Sequence, residues 1–555
     1  MAKRSASRRS RTAFSKSAFT TGRVKSSVGP SGVSAEQSGV RPQLPDDFCQ
    51  AMEAQLGVTE TQALCAALET VSPVSVRFNP YKVALSVADA QGVLTTVSEK
   101  CGPTDLPVGD LSAYAVVSAS VEPCLESKKA NAAEGTEAVG CTVWPDQLRG
   151  HEVLWCPEGY YLPERPSFTL DPVFHAGGYY VQEAGSMFIG QIFRQLYGSD
   201  RDHALRVLDL CAAPGGKTTL LSTLVGESGL VVANEVIRQR AATLVDNVRK
   251  WGLGNTVVTN NDPSHFAAFR HYFDLVLVDA PCSGEGMFRK TPEARTEWSV
   301  ANVNLCAARS RRILSDVWET LKPGGILIYS TCTFNCQEDE ETVKWLVEEY
   351  GCESVTVTAD PAWGIVQGEV AGCPTFHFFP HRVQAEGFFA AVLRKPDERS
   401  RSQAPKARKA IFSALSRREE VAVSSWFAHP ERMTFQRVGD NIHAYFAQQW
   451  SAIKELSESL SVLYSGVLCG QLFGEKLRPE HPLALFYGLS REQLAATELP
   501  LEEAVSYLRK TDLLADWFQE GINLVTYRGL ALGWIKRIGN RCNNMYPKEL
   551  RIVNL

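Results

Sequence analysis

Short apolar runs and amphipathic stretches alternate through the middle of the chain. Val207-Leu-Asp-Leu210, Leu230-Val-Val-Ala-Asn-Glu235, Val257-Val-Thr-Asn-Asn-Asp262, Phe273-Asp-Leu-Val-Leu-Val-Asp279 and Ile326-Leu-Ile-Tyr-Ser-Thr-Cys332 read as buried strands. Between them, Thr218 to Val225 can form a helix. Arg238 to Trp251 places Leu244 and Val248 one turn apart, and Val303 to Leu321 is helical until Pro323-Gly-Gly325 stops it. Strands alternating with helices predict an α/β fold, a doubly wound and mostly parallel sheet. In such a sheet the ligand lies beyond the carboxyl ends of the strands. Cys211, Glu235, Asp262, Asp279, Cys282 and Cys332 all fall at such ends.

The flanks read differently. Residues 1–43 are rich in Ser, Arg and Lys and poor in apolar residues, so a disordered basic arm is expected. A transit peptide or a solubilising tail would share that composition. From 44 to 175 a small α+β domain is predicted. Thr59 is placed to cap a helix over Glu60–Leu68 with Leu64, Leu68 and Val71 on one face, and a strand follows over Pro73–Lys82. Residues 84–142 lose this pattern and read as an inserted surface loop. Tyr179 to Met187 leads into a helix over Met187–Tyr197, opening a central domain over 176–395. A Pro-, Arg- and Ser-rich linker follows at 396–410, then a connecting subdomain over 411–465 and a compact tail over 466–555. In the tail Lys536, Arg537, Arg541 and Lys548 alternate with Trp534 and Tyr546. That mixture suits RNA, whose phosphates need charge and whose unstacked bases need ring faces; a strand pair with one solvated face fits equally well.

Composition narrows the class. With 555 residues the chain has room for about three domains, and 44% hydrophobic with 21% charged residues is ordinary for a soluble globular protein. A net charge of −5 gives no global sign of nucleic-acid binding, so such a surface has to be local. The 15 cysteines include no Cys-x-x-Cys pair, which argues against a zinc ribbon or a secreted disulfide framework and suits a reducing cytoplasm. No metal site is expected, and no apolar run reaches the roughly 18 residues of a membrane span.

The chemistry concentrates at the strand ends. After Leu210 the chain turns through Cys211-Ala212-Ala213-Pro214-Gly215-Gly216-Lys217, a glycine turn opening a helix whose first N–H groups can meet an anion. A P-loop needs Gly where Cys211 stands, so an NTPase is a near miss. Glu235 suits the hydroxyls of a ribose and Asp262 the amino group of an adenine, although an acid at a strand end is also a common helix cap. A dehydrogenase, an S-adenosylmethionine enzyme or a nucleotide binder could use both. Cys282 and Cys332 separate these options. C5 of a pyrimidine becomes nucleophilic once a thiolate adds to C6, and its proton must leave before that sulfur is expelled; two thiols at neighbouring strand ends can divide these tasks. Their spacing does not say which does which. Lys217 is a candidate cation for thiol activation, and Asp279 is placed to hold the N3/N4 edge of a cytosine.

Asp209-Leu-Cys-Ala-Ala-Pro-Gly-Gly-Lys-Thr218, Asp279-Ala-Pro-Cys-Ser-Gly-Glu-Gly286 and Tyr329-Ser-Thr-Cys-Thr333 resemble the signature motifs of the NOL/NOP/Sun family of RNA cytosine-C5 methyltransferases. Ser75-Val-Arg-Phe-Asn79, Gln182-Glu-Ala-Gly-Ser-Met187 and Glu386-Gly-Phe-Phe389 resemble its flanking motifs, with Gly185 where Ser is usual. The ending over Gly533–Arg551 resembles the bacterial F-type branch acting on small-subunit ribosomal RNA. The resemblance implies a Rossmann-like S-adenosylmethionine methyltransferase sheet, an RRM-like N-terminal domain and a C-terminal PUA-like RNA-binding module. It implies Cys332 as nucleophile and Cys282 as the release-assisting thiol. It further implies cofactor contacts from Cys211 through Lys217, Glu235, Asp262 and Asp279. The expectation is a monomeric cytoplasmic enzyme making 5-methylcytosine in ribosomal RNA. The rivals are a P-loop-like NTPase, which leaves both cysteines unexplained, and an RNA-binding assembly factor whose catalysis is idle.

Overall fold

Five of the apolar runs lie side by side in parallel, as strands buried on both faces do. They are β1 (Arg206–Asp209), β2 (Leu230–Asn234), β3 (Thr256–Thr259), β4 (Phe273–Asp279) and β5 (Leu321–Thr331). Their order across the sheet is β5-β4-β1-β2-β3. The computed structural model describes residues 41–83, 85–88, 94–97, 143–199, 203–397, 411–492 and 494–553. The expected basic arm up to residue 40, most of the expected insertion and most of the expected linker lie outside them. All elements below belong to the unit Pro42–Leu555.

Antiparallel strands extend both edges of the sheet. β6 (Val366–Val370) and β7 (Cys373–Phe378) form a hairpin, and β8 (Phe388–Arg394) joins it to β5. The hairpin turns on Ala371 and Gly372, both at positive φ (50° and 86°), as a tight two-residue turn requires. At the far edge β9 (Val462–Ser465) pairs with β3, completing nine strands.

Helices α1 (Gly216–Val225), α2 (Arg238–Trp251) and α3 (Val300–Trp318) cover the sheet. In α2 Leu244, Val245, Val248 and Trp251 are buried, the stripe its spacing predicts. α3 begins earlier than expected because the Ser299 side chain accepts from the N–H of Asn302. It also ends earlier: Leu321 opens β5, which carries Pro323-Gly-Gly325.

In the N-terminal region two helices, Asp46–Leu56 and Val58–Leu68, precede a four-stranded antiparallel sheet. Its order is Glu152–Val153, Cys156–Leu162, Val74–Phe78, Tyr179–Val181. Thr59 is not the cap. The second helix begins at Val58 after Gly57, whose φ of 81° breaks the first, and no side chain caps it. Leu64 and Leu68 are buried, whereas Val71 lies past the helix end and is exposed. Arg77, fully buried, ties this region to α1 and α2. It donates to Gln182 Oε1 (2.8 Å), Thr219 Oγ1 (2.7 Å) and the Gly216 carbonyl (3.2 Å), with its guanidinium 4.6 Å from the Trp251 ring centre.

The C-terminal region holds two further sheets. Ser413–Ala414, Met433–Val438, Asn441–Phe446, Val467–Phe473 and Lys476–Pro479 form an antiparallel five-stranded sheet, so residue 466 lies within it. Ala495–Glu498, Gly521–Tyr527, Leu530–Ile538 and Arg541–Asn544 form a four-stranded one. Leu524 and Trp534 of the second sheet pack with Phe427, Phe435 and Phe446 beside the first. Among the described residues no helix is long and apolar enough to cross a membrane.

Candidate active site

The turn after β1 fits the terminus of an anionic cofactor. Gly215 adopts φ 116°, a conformation that favours glycine, and caps α1 without offering a side-chain acceptor to its first N–H groups. Ala212 donates its N–H to the Asn234 carbonyl (2.8 Å), fixing the turn against β2. Asp209 at the end of β1 is fully buried and accepts the Thr218 hydroxyl at 2.6 Å. Burial pushes its carboxyl up to about 7, against the pull of that hydrogen bond and of Lys217. Burial likewise raises the Cys211 thiol, so this cysteine is structural in character.

Glu235 ends β2 almost fully buried. One oxygen accepts from the N–H of Ile237 (2.8 Å), and the other is 3.4 Å from Arg240. Arg240 also donates to the Ala213 carbonyl at 2.8 Å, linking this acid to the glycine turn. Val236 and Ile237 next to it stay 56% and 51% exposed, which suits the face of a purine. Asp262 stands apart. Its Oδ1 takes the Ser264 N–H (3.1 Å) and hydroxyl (2.7 Å) and caps the turn Pro263–Ala268, so it does the cap's work whatever else it meets. The Ser264 hydrogen bonds hold its carboxyl below the usual range.

At the ends of β4 and β5 the predicted groups come together. The pairing of Asp279 with Ser330 brings Cys282 and Cys332 level, and their sulfurs lie 2.9 Å apart in hydrogen-bonding contact. The Cys332 N–H also donates to the Cys282 sulfur at 3.3 Å. Both cysteines are partly exposed. Lys217 Nζ is 2.8 Å from Asp279 Oδ2, and Ser330 donates to Oδ1 at 2.8 Å. Burial alone would lower the Lys217 ammonium, but Asp279 outweighs it and holds the cation above its ordinary value, within the field of Cys332. Lys217 therefore meets Asp279 directly and Cys332 at longer range. The contact with Cys332 and, next, burial raise the Cys282 thiol well above its usual value.

Close backbone approach holds the two cysteine loops together. The Gly286 N–H donates to the Cys332 carbonyl at 2.9 Å. A Cβ on Gly286 would come within 2.8 Å of the Gly387 carbonyl oxygen. Arg289 pairs with Glu386 at 3.0 Å, and Ser72 also donates to Glu386. The Glu386 N–H reaches Glu183 (3.1 Å), which takes the N–H groups of Gly185 and Ser186, both at 2.8 Å. A Cβ at Gly185 would meet that of Phe388 at 3.0 Å, a reason for glycine there.

The C-terminal cations are split. Lys536, Arg541 and Lys548 are exposed, but Arg537 is engaged by the carbonyls of Gly539 (2.9 Å) and Phe518 (2.6 Å). The ring faces expected for bases are not available. Trp534 and Tyr546 are 1% and 3% exposed, the indole donating to the Glu480 carbonyl and Tyr546 packed on His481 and Tyr507. Arg240 and Glu338 lie outside every motif of the sequence, whereas Arg77 and Glu285 sit inside Ser75–Asn79 and Asp279–Gly286 with no role assigned to either.

Three family models match the chain. The family model described as 16S rRNA methyltransferase RsmB/F matches residues 197–394. The methyltransferase RsmF PUA domain matches 495–552, and the N-terminal domain of 16S rRNA methyltransferase RsmF matches 108–184, reaching into the stretch read as an insertion. Ribosomal RNA small subunit methyltransferase F of Salmonella agona (strain SL483) is 32% identical over 412 residues, 72% of this chain and 84% of its own length. Its counterpart from Klebsiella pneumoniae (strain 342) is 32% identical over 414 residues, with the same coverage. The solved structure of NSun6 from Pyrococcus horikoshii with SFG aligns over 64% of this chain and 99% of its own, with TM-score 0.44 and 18% identity. By the family model over its central domain and by relatives of this similarity, the chain belongs to the RsmB/F family of 16S rRNA methyltransferases, S-adenosylmethionine-dependent enzymes of the cytosine-C5 type.

Proposed function

We propose that the chain methylates C5 of a cytosine in small-subunit ribosomal RNA through a covalent bond between Cys332 and C6, acting as a cytoplasmic monomer. The observation that carries this reading is the 2.9 Å approach of the Cys282 and Cys332 sulfurs beside the Lys217–Asp279 pair. When bound, S-adenosylmethionine supplies an electrophilic methyl group to C5; the turn from Cys211 to Lys217, Glu235, Asp262 and Asp279 are the residues to hold it. The chain's own groups do the rest. The Cys332 thiolate adds to C6 and loads electron density onto C5. Asp279, held by Lys217 and Ser330, accepts from the N3/N4 edge and favours the protonated adduct. Cys282 takes the proton from methylated C5, the C5–C6 double bond re-forms, and Cys332 leaves as thiolate. The base needs to be unpaired or flipped to reach this crevice. Exposed Lys536, Arg541 and Lys548 are offered to RNA phosphates.

The test is a pair of variants incubated with rRNA lacking the modification. Cys332→Ala should abolish transfer and yield no covalent complex. Cys282→Ala should accumulate a protein–RNA adduct that survives a denaturing gel. The reverse pattern would exchange the two roles.

A further inference from the structure

Behind the sulfurs lies a buried polar layer with no part in the reaction as described. Glu285, Asn335, Glu338 and Asp339 are each at most 3% exposed. Glu338 takes the N–H of Ser283, the residue after Cys282, with both oxygens (3.0 and 3.3 Å). Asn335 donates to the carboxylates of Glu338 and Glu285, each at 2.9 Å. The Glu338 backbone is pinned too: its N–H donates to Asn335 Oδ1 (2.9 Å) and its carbonyl accepts the Tyr329 hydroxyl (2.7 Å). A carboxylate on the Cys332 side thus clamps the loop that carries Cys282. Burial raises the Glu338 carboxyl, while the Ser283 N–H and the Asn335 amide that it accepts from pull the other way and favour the ionised form; an amide in its place would accept the same N–H with no charge to bury.

That charge is placed unequally. Glu338 holds the residue next to Cys282, whereas the cation Lys217, paired with Asp279, acts on Cys332 from the cofactor side. The other groups around the pair are Glu285 and Asp339 behind it, and Cys306 with Arg309 on α3. We infer that Glu338 is a positioning residue that orders the two thiols: it keeps the resting proton of the pair on Cys282 and leaves the charge on Cys332. This rests on the two-thiol reading above. The protons then balance. Cys332 attacks as thiolate, and Cys282 loses its proton to solvent once its partner is bonded to C6. It next takes the C5 proton while the C6–sulfur bond breaks, which restores the resting pair. The Cys332 contact and then burial raise Cys282 as well, Glu338 adds to them, and the Cys332 N–H pulls the other way.

The experiment follows adduct formation and decay in single-turnover reactions of the full chain. The mixtures contain S-adenosylmethionine and a small-subunit rRNA transcript and are quenched onto denaturing gels across about pH 6 to 9.5. Glu338→Gln should form the adduct several-fold more slowly near neutrality, and the inflection in its decay should move down by about one pH unit. Glu338→Asp, which keeps the charge, should hold the wild-type inflection. An unshifted inflection in Glu338→Gln, or equal shifts in both variants, would overturn the inference. Should Glu338→Gln fail to fold, a shifted inflection in Glu338→Asp overturns it and an unshifted one supports it. Cys282→Ala, run alongside, separates the two levels: if it leaves no persistent adduct, the two-thiol reading itself fails.

Discussion

Asp209 shows how a single buried carboxyl makes the strand end before the glycine turn sensitive to pH. Its Oδ2 accepts from Thr218, while Oδ1 is buried with no hydrogen-bond partner among the described residues. Burial raises its pKa from 3.8 to about 7 in the folded chain. An acid raised on folding binds its proton more tightly in the native state, so stability falls as pH rises from about 4 to about 7 and then levels off. The penalty above that window is up to about 4 kcal/mol. Asp209→Asn removes it, and any fixed cost of the amide cancels when one variant is followed with pH. The melting temperature of Asp209→Asn relative to wild type should therefore climb between about pH 4 and 7 and stay flat beyond. A difference that does not change with pH would place the ionised form of Asp209 in the native state throughout. The same scale separates the two acids proposed for the cofactor. Glu235 is tied through Arg240 to the glycine turn, whereas Asp262 spends an oxygen on its own cap, the ordinary fate of an acid at a strand end.

The elements that matter most are the two loops after β4 and β5, held together by close backbone approach as well as by the buried Glu338, Asn335 and Glu285 side chains. Gly387, just before β8, is wedged between them. A Cβ there would come within 2.6 Å of the Phe334 ring and 2.7 Å of Gly286 Cα. Phe334 follows Cys332 by two residues and Gly286 follows Cys282 by four, so any relief separates the sulfurs. Gly387→Ala should cost about 1–3 kcal/mol of stability by overpacking. It should also cut adduct formation on the order of tenfold to a hundredfold, since reacting groups tolerate little displacement. Unchanged single-turnover rates would mean that the loops yield elsewhere. The strands behind these loops were legible because parallel strands buried on both faces read as continuous apolar runs, and β1, β2, β4 and β5 do. The β6–β7 hairpin was not. β6 is exposed along most of its length and carries no such run, so only the Ala371-Gly372 turn marks it. Nor was the polar clamp, because Glu285 and Glu338 look like solvated loop charges until the fold brings together residues some 50 positions apart.

Across the whole molecule, α2 is the meeting point of regions far apart in sequence. Asn79 donates to the Trp251 carbonyl (2.9 Å) and Lys82 to that of Lys250 (2.9 Å), while the N–H of Tyr487 reaches the Gly252 carbonyl (3.2 Å). The N-terminal and C-terminal regions thus share the last carbonyls of one helix beside the glycine turn, and the proposed RNA-binding face belongs to the same unit. The alternation of cations with aromatics in the tail pointed to that face for a reason that only half holds. The rings are core, with Trp534 packed edge-on against Trp426, so base stacking cannot come from them. What remains exposed is charge: Lys536, Arg541 and Lys548, with Arg537 held by the protein's own carbonyls. Phosphate contacts of this kind release counterions, and on single-stranded RNA each contributes about 0.7 to the slope of log K against log salt. Replacing Lys536, Arg541 and Lys548 together by Ala should therefore flatten that slope by about 2 and weaken binding alike for matched and unmatched RNA sequences. Arg537→Ala should instead lower stability with little change in slope, because its guanidinium is already satisfied. A triple variant with the wild-type slope would move the RNA path off this sheet altogether and leave the basic residues around the crevice to carry it.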